Sequence, residues 1–263
     1  MKKIFLVLLI PCYCLSQNNI STLNYDLIRT KGQFTFNADG ILEIDSKNNI
    51  SKFKLSQYVN LLKPDDFVKD ITTENDSIKV VGAKKICQDD KIYYNDFKKD
   101  STYSILYDTR CKSKVLIKDI INYPKWEIKN EFKKIGDYNV QKATAFINDR
   151  TWTAFFTNEL GINGGPWKLI GLPGLVLEAT ATENTSTYEF RLTKINKNIE
   201  CFEITKPYYK NQTTFNEFEK KSIERYKEQM FFIFSQVPGA LVDEIDKNSF
   251  KLYETLDFIE KRD

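Results

Sequence analysis

Apolar and polar residues alternate with a period near two along most of the chain. Turn-forming residues interrupt the alternation every 8–12 residues or so, the signature of an antiparallel β protein. Residues 23–28 (LNYDLI) read as a first strand. Residues 34–36 and 41–44 flank Asp39-Gly40, which predicts a hairpin turn there, and Asn48-Asn49 predicts a second turn before residues 53–55. Residues 56–75 lose the periodicity, with Lys63-Pro64-Asp65-Asp66 marking a loop. Strand signals return at residues 78–81, 91–94, 103–107, 114–117 and 126–128. A turn at Ile135-Gly136-Asp137 leads into a strand over residues 138–147, which pairs back across Asn148-Asp149-Arg150 with residues 151–156. Residues 175–179, apolar enough for a central strand, and 188–192 flank the turn Glu183-Asn184-Thr185.

The period changes once. Thr214-Phe215-Asn216-Glu217 has capping-box spacing, with the Thr hydroxyl and the Glu carboxylate each set to satisfy an orphan backbone N–H. Phe215, Phe218, Tyr226, Met230 and Phe234 then fall near one face of a helix that ends before Pro238-Gly239. The expected fold is mainly β: a curved antiparallel sheet, half-barrel or bowl-like, with one C-terminal amphipathic helix. No repeat, low-complexity linker or composition break divides the chain, so residues 17–263 read as a single domain.

The first sixteen residues follow a different grammar. Lys2 and Lys3 precede the seven apolar residues 4–10 (IFLVLLI), Pro11 breaks the helix, and Ser16 places a small residue before Gln17. This is a signal peptide over residues 1–16, too short in its apolar core to span a bilayer, and Pro11 before Cys12 argues against a lipoprotein anchor. After cleavage of the leader the mature chain is expected to be secreted, periplasmic or outer-membrane associated, without a transmembrane segment. Its 37 basic residues balance 36 acidic ones, six of the basic residues in the whole chain are Arg, and no run of five like charges exists. Nucleic acid is therefore not an expected partner.

Composition then removes whole chemistries. The chain has no histidine, which excludes a Ser-His-Asp triad, a Cys-His dyad and an HExxH zinc site. Three cysteines remain after the leader, Cys87, Cys111 and Cys201, allowing at most one intrachain disulfide; a Cys87–Cys111 pair and three free buried thiols both fit. Soft and borderline metals want Cys or His, so neither a metal nor a cofactor is expected.

The most unusual stretch is residues 164–178, Gly164-Gly165-Pro166-Trp167-Lys168-Leu169-Ile170-Gly171-Leu172-Pro173-Gly174-Leu175-Val176-Leu177-Glu178. Leu172-Pro173-Gly174-Leu175 suits a type II turn, with Gly174 at φ > 0, and Gly164-Gly165-Pro166 permits a tight bend or a close approach. A rigid structural corner and a ligand-contacting loop are both readings of it. Gly171-Leu172-Pro173-Gly174-Leu175-Val176 resembles the signature of the GLPGLI family of secreted Gram-negative envelope proteins, with Val176 in place of the usual Ile. Trp126, Lys134-Ile135-Gly136, Gln141-Lys142-Ala143, Arg150 and the strand from Thr151 into Gly165-Pro166 extend that resemblance; Phe155-Phe156-Thr157-Asn158-Glu159 and Val140 depart from the usual pattern. The resemblance implies a secreted β domain and no established activity. A fainter likeness is to the N-terminal bowl-like domain of certain secreted peptide:N-glycanases, which implies a non-catalytic domain.

Three functions follow. The leading one is a non-enzymatic envelope binding or scaffold module with a protein, glycan or lipid partner. In it Trp152, Phe156 and Trp167 serve as aromatic contacts beside the glycine-rich loop, against the plain alternative that they are core. The second is a glycosidase-like hydrolase built from two carboxylates, drawn from Asp137, Asp149, Glu159 and Glu178 around the motif. Glu178 is expected to face solvent or an Arg. The third is a carrier holding an apolar ligand in the half-barrel.

Overall fold

The computed structural model describes residues 20–31, 34–56, 71–74, 77–80, 90–107, 114–183, 186–197, 203–222 and 224. The leader, the three cysteines, residues 63–66, the turn expected at Asn184-Thr185 and the continuation of the helix expected beyond residue 224 lie outside these. The strands are β1 (Ile20–Lys31), β2 (Phe34–Asp45), β3 (Ile50–Leu55), β4 (Ile71–Glu74), β5 (Ser77–Val80), β6 (Lys91–Asp96), β7 (Ser101–Tyr107), β8 (Lys114–Ile120), β9 (Glu127–Ile135), β10 (Tyr138–Ile147), β11 (Arg150–Thr157), β12 (Leu175–Glu183), β13 (Ser186–Asn196) and β14 (Gln212–Thr213). Helix α1 covers residues 215–222. As expected from the alternation, the fold is mainly β, one open curved sheet with a short helix towards the C-terminus.

Twelve strands form that sheet, in the order β14-β8-β7-β6-β3-β2-β1-β13-β12-β11-β10-β9, while β4 and β5 pair separately. The chain starts in the middle with β1. It meanders outward through β2, β3, β6, β7 and β8, crosses to the opposite edge, and meanders back from β9 to β13, which closes on β1. Every pairing is antiparallel except β14 against β8.

The crossing decides the shape. Ten inter-strand steps separate β8 from β9 in the sheet, about 48 Å if it were flat. Residues 121–126 make the whole connection, and the seven Cα steps from Ile120 to Glu127 reach at most about 24 Å. The sheet has to curl until its two wings face each other. Its inner face carries the main core, built around Leu23, Tyr25, Leu42, Phe53, Trp152, Val176, Tyr188 and Phe190. On the other face of the β6–β8 wing, Tyr94, Tyr103, Ile105 and Leu116 pack under Ile20 and Ile204.

One expectation about local structure needs correction here. Asp39-Gly40 is not a hairpin turn: both residues lie inside the continuous strand β2, with Gly40 opposite Tyr25 on one side and Leu55 on the other. A Cβ on Gly40 would sit 2.7 Å from the Phe53 ring, so this glycine makes room for an aromatic core residue instead of reversing the chain. The turns at Asn48-Asn49, Gly136-Asp137 and Asn148-Asp149 do form, with Asn49, Gly136, Asn148 and Asp149 in the left-handed region. At α1 the cap also forms: the Glu217 N–H donates to Thr214 Oγ1 at 3.3 Å.

Candidate functional site

The glycine-rich stretch is a loop that leaves β11 and returns as β12. Its limbs are pinned together where the Gly164 N–H donates to the Gly174 carbonyl (3.0 Å) and the Val176 N–H to the Gly164 carbonyl (2.9 Å). Gly174 is not the left-handed residue of a type II turn; the positive φ falls at Gly171, at 89°. Gly174 is glycine for another reason. A Cβ there would lie 2.3 Å from the Thr157 carbonyl oxygen, where the backbone must close up so that Leu175 can pair with Thr157. Gly165 is constrained likewise, its notional Cβ 2.1 Å from the Leu169 carbonyl oxygen.

The aromatic residues singled out from sequence are core. Trp152, Phe156 and Trp167 are all buried, and Trp152 packs against Trp167 (5.5 Å between centroids) and Phe190 (5.8 Å). They are not surface platforms for a sugar or a peptide. Leu172 and Leu175 are buried beside them, Pro166 is buried, and Pro173 is exposed. Lys168, which reads from sequence as an exposed residue, is half-buried, its ammonium 5.2 Å from the Trp167 ring and 5.4 Å from the Phe215 ring.

The loop nevertheless forms one wall of a cleft. Trp167 adopts φ 55°, a left-handed conformation that a bulky side chain rarely takes. Trp167, Lys168 and Ile170 line a cavity of 520 Å³ between the two wings. The opposite wall is the inner face of β6, β7 and β8. Register places Asn95, Thr102 and Asp119 side by side in one row across the three strands, and Tyr93, Ser104 and Ile117 in the next. The crossing segment, with Asn122, Tyr123 and Lys125, lies along the cleft, together with the β10–β11 turn from Phe146 to Asp149 and with Phe215 of α1. Trp126 ties this segment to the loop by donating from Nε1 to the Ile170 carbonyl at 2.8 Å, and Tyr123 lies 3.5 Å from where a Cβ on Gly171 would be. Burial, with the nearby Asp100 charge, pushes the Tyr123 phenol up, so it stays a neutral hydroxyl.

Exposed apolar residues adjoin the cleft: Tyr123 is 44% exposed, while Ile120 (75%) and Phe146 (65%) alternate with inward-facing neighbours and so point to the outer face of the sheet. Among the four carboxylates proposed from sequence, Asp149 lines the cleft, joined by Asp119. The others are not part of its lining: Asp137 sits in the β9–β10 turn, Glu159 accepts from Asn139 Nδ2 (2.9 Å), and Glu178 pairs with Lys133 (2.9 Å), a lysine where an arginine was one expectation. Asp119, Asn95, Ser104 and Phe146 were missed from sequence. A signal existed for some: Asn95 and Asp119 are polar at inward positions, and Phe146 is apolar between the inward Ala145 and Ile147.

A second charged feature stands apart from the cleft lining. Arg150, fully buried, donates from Nε to Glu183 Oε2 at 2.7 Å and lies 4.6 Å over the Tyr188 ring; Arg29 lies 5.6 Å over the same ring. Burial pushes the Tyr188 phenol up, against the pull of the two guanidiniums. Among the described residues no group of three or more Cys, Asp or Glu is placed to hold a metal ion, and no helix is long and apolar enough to cross a membrane.

A curled, open antiparallel sheet with a cleft between its wings defines a bowl-like β domain. The family described as N-glycanase peptide, N-terminal domain matches residues 53–219, and the chain belongs to that family. The fainter of the two likenesses drawn from sequence is thus the one the family match carries. No curated protein matches the chain. Among solved structures, PNGF-II is 15% identical, with a TM-score of 0.46 over 78% of this chain and 33% of that one, so the chain spans about a third of its length. The MucA/MucB complex of Pseudomonas aeruginosa is 8% identical, with a TM-score of 0.33 over 70% of this chain and 54% of that one. A putative outer membrane lipoprotein-sorting protein domain from Vibrio parahaemolyticus is 9% identical, with a TM-score of 0.30 over 79% of this chain and 92% of that one.

Proposed function

We propose that the chain is a secreted or periplasmic, outer-membrane-associated envelope protein of the GLPGLI type, and that it works as a non-enzymatic binding module whose ligand occupies the cleft. The compartment rests on the charged, short apolar leader read from the sequence. The observation that carries the binding role is the cleft itself: a 520 Å³ cavity walled by the glycine-rich loop, with the bulky Trp167 held in left-handed backbone along its lining. Concave sites with a few convergent polar groups and stored backbone strain are where ligands bind.

Incubating the mature chain with an envelope extract and identifying retained lipids and glycans by mass spectrometry tests the role. Ser104→Trp, which fills the cleft from β7, is the control. Wild type is expected to retain a species that Ser104→Trp does not; identical retention by the two sinks the reading. The hydrolase alternative narrows to one pair, Asp119 and Asp149, which both line the cleft. It requires cleaved products from the wild type that disappear in Asp119→Asn.

A further inference from the structure

Strand β9 ends the sheet on one side, and no described strand pairs with its outer edge. We infer that this edge pairs with β9 of a second copy, antiparallel about a twofold axis at Asn130, to give a homodimer through one continuous sheet. The inference stands apart from the cleft and its ligand.

The two faces of β9 differ in chemistry. Ile128 stands opposite the buried Ala143, and Phe132 opposite Gln141, itself the neighbour of the buried Phe156, so both lie towards the core face of the sheet. Neither is covered: Phe132 is 64% exposed and Ile128 47%. Glu127, Lys129, Glu131 and Lys133 lie on the other face. There Glu131 pairs with Lys142 (2.8 Å) and Lys133 with Glu178 (2.9 Å), two residues that stand either side of the outward Phe155, and Lys129 pairs with Glu127.

Charges on an edge strand ordinarily keep other strands away. On β9 they alternate in sign, and their order is its own antiparallel complement. With Asn130 opposite Asn130 of the second copy, Glu127 meets Lys133, Ile128 meets Phe132 and Lys129 meets Glu131. The twofold repeats each pair, giving four Glu–Lys contacts on one face and two Ile–Phe contacts on the other. Residues directly opposite on antiparallel strands share a face, so these are the pairs that stabilise a sheet. Other registers that keep the faces fit less well. Centred on Lys129, pairing sets that lysine against itself and Glu127 against Glu131; centred on Glu131, it sets that glutamate against itself and Lys129 against Lys133. Centred on Phe132, it keeps two of the Glu–Lys contacts.

The backbone is turned the right way. Gln141 donates from Nε2 to the Lys129 carbonyl at 2.9 Å, so that carbonyl points to β10, and strand alternation turns the N–H and C=O of Ile128 and Asn130 to the open side. Residues 129–131 stand opposite the single residue Lys142, a bulge that carries Asn130 outward. The same bulge bends the strand and keeps the ladder short, so the interface is small and the dimer weak.

Sedimentation equilibrium of the mature chain over a range of concentrations tests the inference, with the melting temperature as the folding check. Wild type is expected to dimerise. Lys129→Glu sets carboxylates opposite each other at two contacts and should weaken the dimer about tenfold. Lys129→Glu combined with Glu131→Lys exchanges the charges and should restore it. The register centred on Phe132 predicts no recovery, because position 131 then faces Lys133. Phe132→Ala should weaken the dimer and leave the melting temperature unchanged, since that ring is mostly exposed. A chain that stays monomeric up to about 1 mM, the weak end of the affinity scale, overturns the inference and leaves the edge to a strand of another protein. A dimer indifferent to both Lys129→Glu and Phe132→Ala overturns β9 as the contact. Loss in Lys129→Glu without recovery in the exchanged variant overturns the pairing about Asn130.

Discussion

Glycine is used here for two separate physical reasons, and substitution distinguishes them. Gly174 has no room: a methyl group would lie 2.3 Å from a backbone carbonyl that cannot move without opening the β11–β12 ladder. Gly136 has room but the wrong backbone, with φ 56° and nothing within 4 Å of a notional Cβ. Gly174→Ala is expected to cost about 3 kcal/mol, at the upper end of overpacking, and Gly136→Ala about 1 kcal/mol, the price of left-handed φ. Chemical denaturation of the two variants checks the order; equal losses would mean that the corner at Thr157 yields. A second residue, Asp96, contributes to acid behaviour. The Lys99 ammonium bonds its carboxylate at 2.9 Å and holds it below the ordinary carboxylate value, against the opposing effect of burial. A carboxyl with a lowered folded-state pKa stabilises above its unfolded-state value and loses that contribution as pH falls through the folded one. Asp96→Asn should therefore start with a lower melting temperature at pH 6 and lose less of it on going to pH 3 than wild type does.

Between elements, β11 and β12 are joined by the Arg150–Glu183 pair, with the guanidinium buried and the carboxylate half-buried. Truncating the buried arginine leaves a cavity beside Tyr188 and takes a partner from a half-buried carboxylate, so Arg150→Ala should destabilise by about 3 kcal/mol. Replacing both partners with neutral groups removes that problem. Arg150→Met with Glu183→Gln is expected to recover most of the loss in urea titrations, and a double variant as unstable as Arg150→Ala would show that stacking on Tyr188, not charge, holds the site. The pairings themselves follow from hydrophobic alternation: in β11, Arg150, Trp152, Ala154 and Phe156 are buried while Thr151, Thr153 and Phe155 are not. That pattern specifies register, since a slip of one residue would turn the core side of the strand to the other face.

At the level of the molecule, six residues hold the curl. Residues 121–126 cross between the wings, bond to the loop through Trp126 and line the cleft through Asn122, Tyr123 and Lys125. Inserting six Gly/Ser residues after Asn122 would cost only about 0.6 kcal/mol if the segment were a passive tether, the value for doubling a flexible loop. The loss expected is several times larger, because the insertion frees the wings to open and pulls Trp126 from Ile170. Equilibrium unfolding of the insertion variant measures it, and a loss near the loop-entropy value would show that the two wings hold each other without the crossing.

The amino-acid pattern determined the fold class, most strand positions, three turns and the start of α1, because period-two burial and local turn chemistry are short-range properties of the chain. It also determined what the protein lacks: without a histidine no long-range arrangement can produce the catalytic triads or zinc sites that need one. Tertiary structure alone decided the rest. Gly40 and Gly174 look like turn residues locally, and only the positions of Phe53 and of the Thr157 carbonyl, far away in sequence, show that they make space. Trp152 looks like an available aromatic until Trp167 of the glycine-rich loop and Tyr188 and Phe190 of β13 pack against it. The cleft joins residues from β6 to α1 across more than a hundred positions, through a curl set by the ratio of linker length to sheet width, and no local pattern carries that ratio.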